Sequence, residues 1–122
     1  PFHCRLMRPA RDRMAELFAI ADPAQKPRAP TFGYVPNRTA RVSREPGLIF
    51  ELLIEQVDHP VLWKQSMQGL LEMGATHAIE FGPGKVLSGL MKRIAQPINK
   101  TCSLLSVGDS AGIKALEALG KS

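Results

Sequence analysis

From about Pro60 onward the chain alternates between two hydrophobic periods, and this alternation constrains the fold more than any other feature. Pro60 suits the first turn of a helix running to about Met73, and Gly74 closes it as a C-cap. His77 to Phe81 (His-Ala-Ile-Glu-Phe) follows as a strand, Gly82-Pro83-Gly84 as a sharp turn, and Lys85 to Ala95 as a helix that Pro97 ends. Thr101 to Val107 is an apolar strand, and Asp109 is placed to cap a last helix through about Leu119. The order helix–strand–helix–strand–helix implies an α/β fold with a mostly parallel sheet and covering helices. Ala78–Phe81 and Leu104–Val107 have the apolar character of strands buried on both faces, which need neighbours on each side.

The first half is more broken. Leu6, Met7, Ala10, Met14, Leu17 and Phe18 recur at helical spacing, with Arg8, Arg11, Arg13 and Glu16 on the other face. This predicts an amphipathic helix over about residues 5–21, with Pro9 in its first turn. Three prolines in residues 22–30 end it. Thr31–Val35 and Ala40–Ser43 read as two short strands around a Pro36–Thr39 turn, and Pro46 opens a further helical stretch that Asp58-His59-Pro60 interrupts.

Composition excludes several classes. The 122 residues give room for one domain with a single core, and 44% hydrophobic with 22% charged residues is a globular balance. A net charge of +5 permits an acidic partner, but the basic residues form no dense run and the 6% aromatic residues show no stacking pattern, so nucleic acid is not expected. Cys4 and Cys102 are too far apart for a metal motif, and His3, His59 and His77 are scattered, so no metal is expected. No apolar run approaches the roughly 20 residues of a membrane helix, so no membrane partner is expected. The chain opens in mid-motif with Pro-Phe-His-Cys, and we expect a cut or boundary there rather than a natural start.

Three places carry chemistry. His3 is either a packed or surface histidine or a general base, since imidazole titrates near neutrality. Cys4 beside it is not expected to form a dyad, because sequence neighbours rarely face one another. Gly82-Pro83-Gly84-Lys85 is either a tight turn or a weak phosphate cradle at a helix N-terminus. No serine stands in a Gly-x-Ser-x-Gly elbow, and Ser88, inside the predicted helix, is read as structural.

Three blocks, in order, resemble one family. Pro1-Phe2-His3-Cys4-Arg5-Leu6-Met7 is similar to the histidine segment of malonyl-CoA:acyl-carrier-protein transacylases. Glu55-Gln56-Val57 with Pro60-Val61-Leu62-Trp63 resembles their glutamine and Pro-Val-x-Trp block. Glu80-Phe81-Gly82-Pro83-Gly84-Lys85-Val86-Leu87-Ser88-Gly89-Leu90 resembles their Gly-Pro-Gly turn and the helix after it. The resemblance runs from end to end. It implies that residues 1–122 are the C-terminal part of the large α/β-hydrolase-like subdomain, with the serine elbow, the oxyanion glutamine, the malonate-binding arginine and a ferredoxin-like subdomain lying outside this chain.

The resemblance also implies chemistry. In such enzymes a serine takes the malonyl group from coenzyme A and passes it to the phosphopantetheine thiol of acyl carrier protein, by ping-pong acyl transfer in fatty acid biosynthesis. His3 matches the catalytic histidine, and Gln56 matches the residue whose main-chain carbonyl orients it. Phe2 goes with malonyl rather than methylmalonyl, or simply packs at the edge of the site. Lys92 and Arg93 are either a contact for the acidic carrier protein or a solvated helix face. The implied substrate is a coenzyme A thioester with no bound cofactor, the implied partners are carrier protein and the serine-bearing half, and the implied location is the bacterial cytoplasm. An acyltransferase domain of a polyketide synthase and a non-catalytic module docking carrier protein are the rivals. An end near Ser122 is expected of a discrete enzyme, and the chain by itself is expected to be inactive and poorly folded.

Overall fold

The computed structural model describes residues 2–20 and 28–121. These fall into two compact units, one reaching Ser66 and the other beginning at Met67. Each has its own small set of buried side chains.

In the first unit a single 3₁₀ turn, Arg5–Met7, leads into α1 (Arg8–Ala19), with Pro9 in the first turn, where its missing N–H leaves no bond unmade. The predicted end of this helix lies outside the described residues. α2 (Pro46–Glu55) begins at Glu45, whose carboxylate accepts from the Gly47 and Leu48 amides, two of the donors that a helix start leaves over. The two helices meet at Phe18 and Phe50, with ring centroids 4.5 Å apart, and Ile49 and Leu52 of α2 are buried.

Two expectations fail in this unit. Thr31–Val35 and Ala40–Ser43 are not strands but share one antiparallel bridge, Tyr34 to Ser43. The chain turns too soon for a ladder, because the amides of Thr39 and Ala40 both bond back to the Pro36 carbonyl, with Ala40 at φ +55°. The helix expected from Pro60 instead starts as α3 (Trp63–Glu72). The Leu62 amide is taken by the Asn37 carbonyl at 2.8 Å, and the Leu62 carbonyl accepts the Ser66 amide, so regular helix bonding begins only there.

The second unit follows the predicted order. β1 (His77–Phe81) and β2 (Ser103–Val107) pair in parallel, in register from His77 with Ser103 to Phe81 with Val107. α4 (Val86–Ala95) makes the crossover between them and α5 (Ser110–Leu119) follows β2. Leu71, Met91 and Ala95 form the buried centre, with Met67, Ala78, Ile94 and Ile98 against it. α4 gives way to a 3₁₀ turn, Gln96–Ile98, that contains Pro97, and the chain leaves it through Asn99 at φ +54°. α5 is capped by Asp109, which accepts from the Gly112 amide at 2.8 Å, as expected. It also runs unusually close to β2: a Cβ on Gly112 would stand 2.6 Å from the Ser106 carbonyl oxygen and 2.8 Å from Val107 Cα.

The strands are less buried than their composition predicts. Phe81 is 71% exposed, and Ile79 and Leu104 are each 37% exposed. Among the described residues each strand has a single partner, so one edge of each is unpaired. No helix among the described residues is long and apolar enough to cross a membrane.

The Gly82-Pro83-Gly84 turn needs its glycines, which stand at φ +128° and +98°. Beyond it, the N-terminus of α4 is filled from within the protein. Glu80 of β1 accepts from the Leu87 amide (3.1 Å), the Ser88 amide (2.8 Å) and the Ser88 hydroxyl (2.7 Å). Ser88 therefore has a structural partner, and two of the amides at this helix start are already engaged.

Hydrogen bonds from the Ser88 hydroxyl, the Ser88 amide and the Leu87 amide hold the Glu80 carboxyl below its ordinary value, outweighing desolvation, which pushes it up. A lowered folded pKa means that the ionised form stabilises the fold above the unfolded glutamate value of about 4.3 and that this contribution is lost as pH falls through the folded value. Glu80→Gln should lower the melting temperature at pH 7 and flatten its acid-side decline. An unchanged pH–melting curve in a thermal unfolding series would contradict this role.

Candidate active site

His3 sits just before α1, at φ +60°, a region that non-glycine residues seldom enter. Two bonds hold it there. Its amide donates to the Val57 carbonyl at 3.2 Å, and its Nδ1 lies 2.7 Å from the Gln56 carbonyl oxygen. A strained backbone persists when its surroundings over-determine it, and strain of this kind clusters at functional sites.

The partner of Nδ1 decides the tautomer. A main-chain carbonyl has no proton, so Nδ1 must donate. In the neutral ring Nε2 then carries the lone pair. His3 is exposed, so that lone pair is not sealed inside this unit.

Gln56 contributes through its backbone. It follows the last residue of α2, and its amide closes the helix onto the Leu52 carbonyl at 3.0 Å. Its side chain turns elsewhere, accepting through Oε1 from Asn37 Nδ2 at 2.8 Å.

Next to these carbonyls lies a charged group that the sequence reading passed over as a helix interruption. The Asp58 side chain is 1% exposed, with His59 Nδ1 at 2.8 Å, Arg8 Nε at 3.5 Å and Arg11 Nε at 3.6 Å. The two guanidinium contacts are ionic, being longer than hydrogen bonds. Burial pushes the Asp58 carboxyl up, but the charges of His59 and Arg11, with further hydrogen bonding, outweigh it and hold it below the usual carboxylate range. The available signal was the i,i+3 pair Arg8 and Arg11, which share one face of α1.

Lys92 and Arg93 lie in the second unit, exposed in the last turn of α4, where positive charge complements the carbonyl end of a helix. Lys92 also lines an open groove with Lys85, Ser88, Leu104 and Asp109. Cys4 and Cys102 form no disulfide, and burial pushes the Cys102 thiol up, away from thiolate character. Among the described residues no group of three His, Cys, Asp or Glu side chains is arranged to hold a metal.

Known proteins are similar to this chain in both sequence and fold. The malonyl CoA-acyl carrier protein transacylase of Salmonella typhimurium is 38% identical over 99 residues, 80% of this chain and 30% of that protein. The crystal structure of MCAT from Streptococcus pneumoniae superposes with a TM-score of 0.81 at 38% identity, over 100% of this chain and 36% of that one. The chain is a homologue of the malonyl CoA-acyl carrier protein transacylases. It spans about a third of the length of the relatives it matches. A malonyl-transacylase solved in complex with a type II polyketide-synthase acyl-carrier protein is likewise similar to this homologue, with a TM-score of 0.81 and 34% identity, over 97% of this chain and 36% of that one. No family model matches the chain.

The Nδ1 acceptor is a backbone atom, so the bond should outlast the loss of the glutamine side chain. In Gln56→Ala, ¹⁵N NMR of the neutral His3 ring should still show Nδ1 protonated and Nε2 bare. A switch to the Nε2–H form would mean that the side chain, not the carbonyl, governs the ring.

Proposed function

We propose that this chain supplies the general base of a malonyl transacylase, moving malonyl from coenzyme A to the phosphopantetheine thiol of acyl carrier protein in fatty acid biosynthesis. The observation that carries the reading is the His3 Nδ1 to Gln56 carbonyl contact of 2.7 Å, which leaves Nε2 as the basic nitrogen. The nucleophile comes from a serine-bearing portion outside residues 1–122, which also completes the hydrolase-like subdomain around β1 and β2. Their unpaired edges and the exposed Phe81 are consistent with such a neighbour.

In the first half-reaction Nε2 takes the serine Oγ proton as Oγ attacks the malonyl thioester carbon. An Oγ–C bond forms, the C–S bond breaks, and the proton passes from Nε2 to the departing coenzyme A sulfur. In the second half-reaction the phosphopantetheine thiol gives its proton to Nε2 and attacks the acyl-serine, and Oγ recovers the proton on leaving. Gln56 orients the ring through its carbonyl and takes no proton. Phe2, 79% exposed beside His3, is positioned to favour malonyl at the edge of the completed site. No cofactor enters this cycle.

Lys92 and Arg93 supply charge for the acidic carrier protein. The similarity to a transacylase solved with a type II polyketide-synthase carrier protein also supports a second reading, the same transfer within a polyketide system. Assaying the purified enzyme with carrier proteins of both kinds separates the two.

His3→Ala in the complete enzyme should slow acylation by malonyl-CoA about 10²–10⁴-fold, the usual span for general acid–base catalysis. Acylation near the wild-type rate would overturn the assignment. Reversal of both Lys92 and Arg93 to Glu should raise the apparent KM for carrier protein and weaken its salt dependence, while sparing malonyl-CoA hydrolysis. Equal losses in transfer and hydrolysis would point to damage of the fold instead.

A further inference from the structure

We propose that Asp58 is a positioning residue for His3, a buried carboxylate that ties the loop carrying the Gln56 and Val57 carbonyls to the first turn of α1. This rests on the reading of His3 as the general base.

His3 depends on two chain segments keeping their register. One runs from His3 into α1. The other is the stretch after α2, whose carbonyls at 56 and 57 receive both His3 bonds. α2 itself reaches only as far as the Gln56–Leu52 and Val57–Ile54 bonds. The next tie along the chain is Asp58, and it reaches across to the other segment through Arg8 and Arg11. The ion pairs therefore lie one or two residues beyond the acceptors on one side and five and eight residues beyond His3 on the other.

The charge placement argues for a tie rather than a surface decoration. The Asp58 side chain is almost fully buried, whereas Arg8 is 61% exposed. A buried carboxylate persists only where cations compensate it, so removing the charge frees both segments at once. His59 belongs to the same clamp, since its Nδ1 also lies 2.8 Å from the Glu55 carbonyl at the end of α2. With the clamp released, the φ of +60° at His3 can relax, Nδ1 leaves its acceptor, and the ring is free to take its other tautomer.

The test is Asp58→Asn in the complete enzyme, which keeps the size and removes the charge. Misplacement of a catalytic group by about 1 Å costs on the order of 10²-fold, so partial loosening should slow acylation at saturating malonyl-CoA about tenfold, with half-saturation changed less than about twofold. In the same variant ¹⁵N NMR should show the neutral His3 ring losing its preference for Nδ1–H. Should Asp58→Asn fail to fold, Arg8→Gln attacks the clamp from its solvent side and should give a smaller loss in the same direction, about threefold, with the same change of tautomer population. Unchanged acylation and tautomer in a folded variant would overturn the proposal. So would a loss of rate that follows lowered melting temperature while the tautomer stays put, because that is a merely structural role. His3→Ala distinguishes this from failure of the underlying reading. If it retains acylation, the general-base assignment falls, whereas an inactive His3→Ala beside an unaffected Asp58→Asn removes the positioning role alone.

Discussion

A carbonyl oxygen can only accept, and that asymmetry organises the first half of the molecule. Once His3 Nδ1 lies against the Gln56 carbonyl, the ring has one neutral tautomer and one basic nitrogen. An aspartate in the same place could hold the ring as well, but would add a negative charge beside it. Here orientation comes from an uncharged group, and the carboxylate that follows it in the chain, Asp58, is engaged with arginines and His59. The acceptor is the end of a helix, where carbonyls lacking intrahelical partners are to be expected. The residues around it then have one task, keeping α1 and the end of α2 in register.

The second half shows the same economy with opposite polarity. The α4 start presents unpaired amides, and Glu80 supplies the acceptor from the strand before it. The strand, the Gly-Pro-Gly turn and the helix are thus closed by the carboxylate of Glu80, the fourth residue of β1. The turn is sharp because the two have to meet.

Local chemistry was legible where it was decisive. β1 was placed to the residue, because the seven residues between Gly74 and Gly82 leave room for little more than one short strand. The Asp109 cap and the helix after it were equally plain, since the cap bond is made within three residues. The failures lie where a distant partner decides. Leu62 stands outside the helix with its amide on the Asn37 carbonyl, and no local pattern announces a bond spanning that much chain. Thr31–Val35 and Ala40–Ser43 read as short strands, yet Pro36 gathers two amides and closes the turn early. Strand burial was misjudged for a different reason: composition reports what a strand can be packed against, whereas exposure reports what is beside it. At the site, the His3 and Gln56 blocks were readable through family resemblance. Asp58 was not, because an acid in a helix-breaking loop has the same appearance whether it faces water or two arginines.

The close approach at Gly112 has a mechanical meaning. With no side chain between them, the first turn of α5 and the end of β2 touch backbone to backbone, and the Gly108 position meets the Gly82 carbonyl just as closely. Two surfaces in such contact cannot roll over one another as bulkier helices do on a cushion of side chains. β2, its connection and α5 must therefore displace as one piece, and a load applied to the far end of the chain is transmitted straight to the glycine turn that precedes α4.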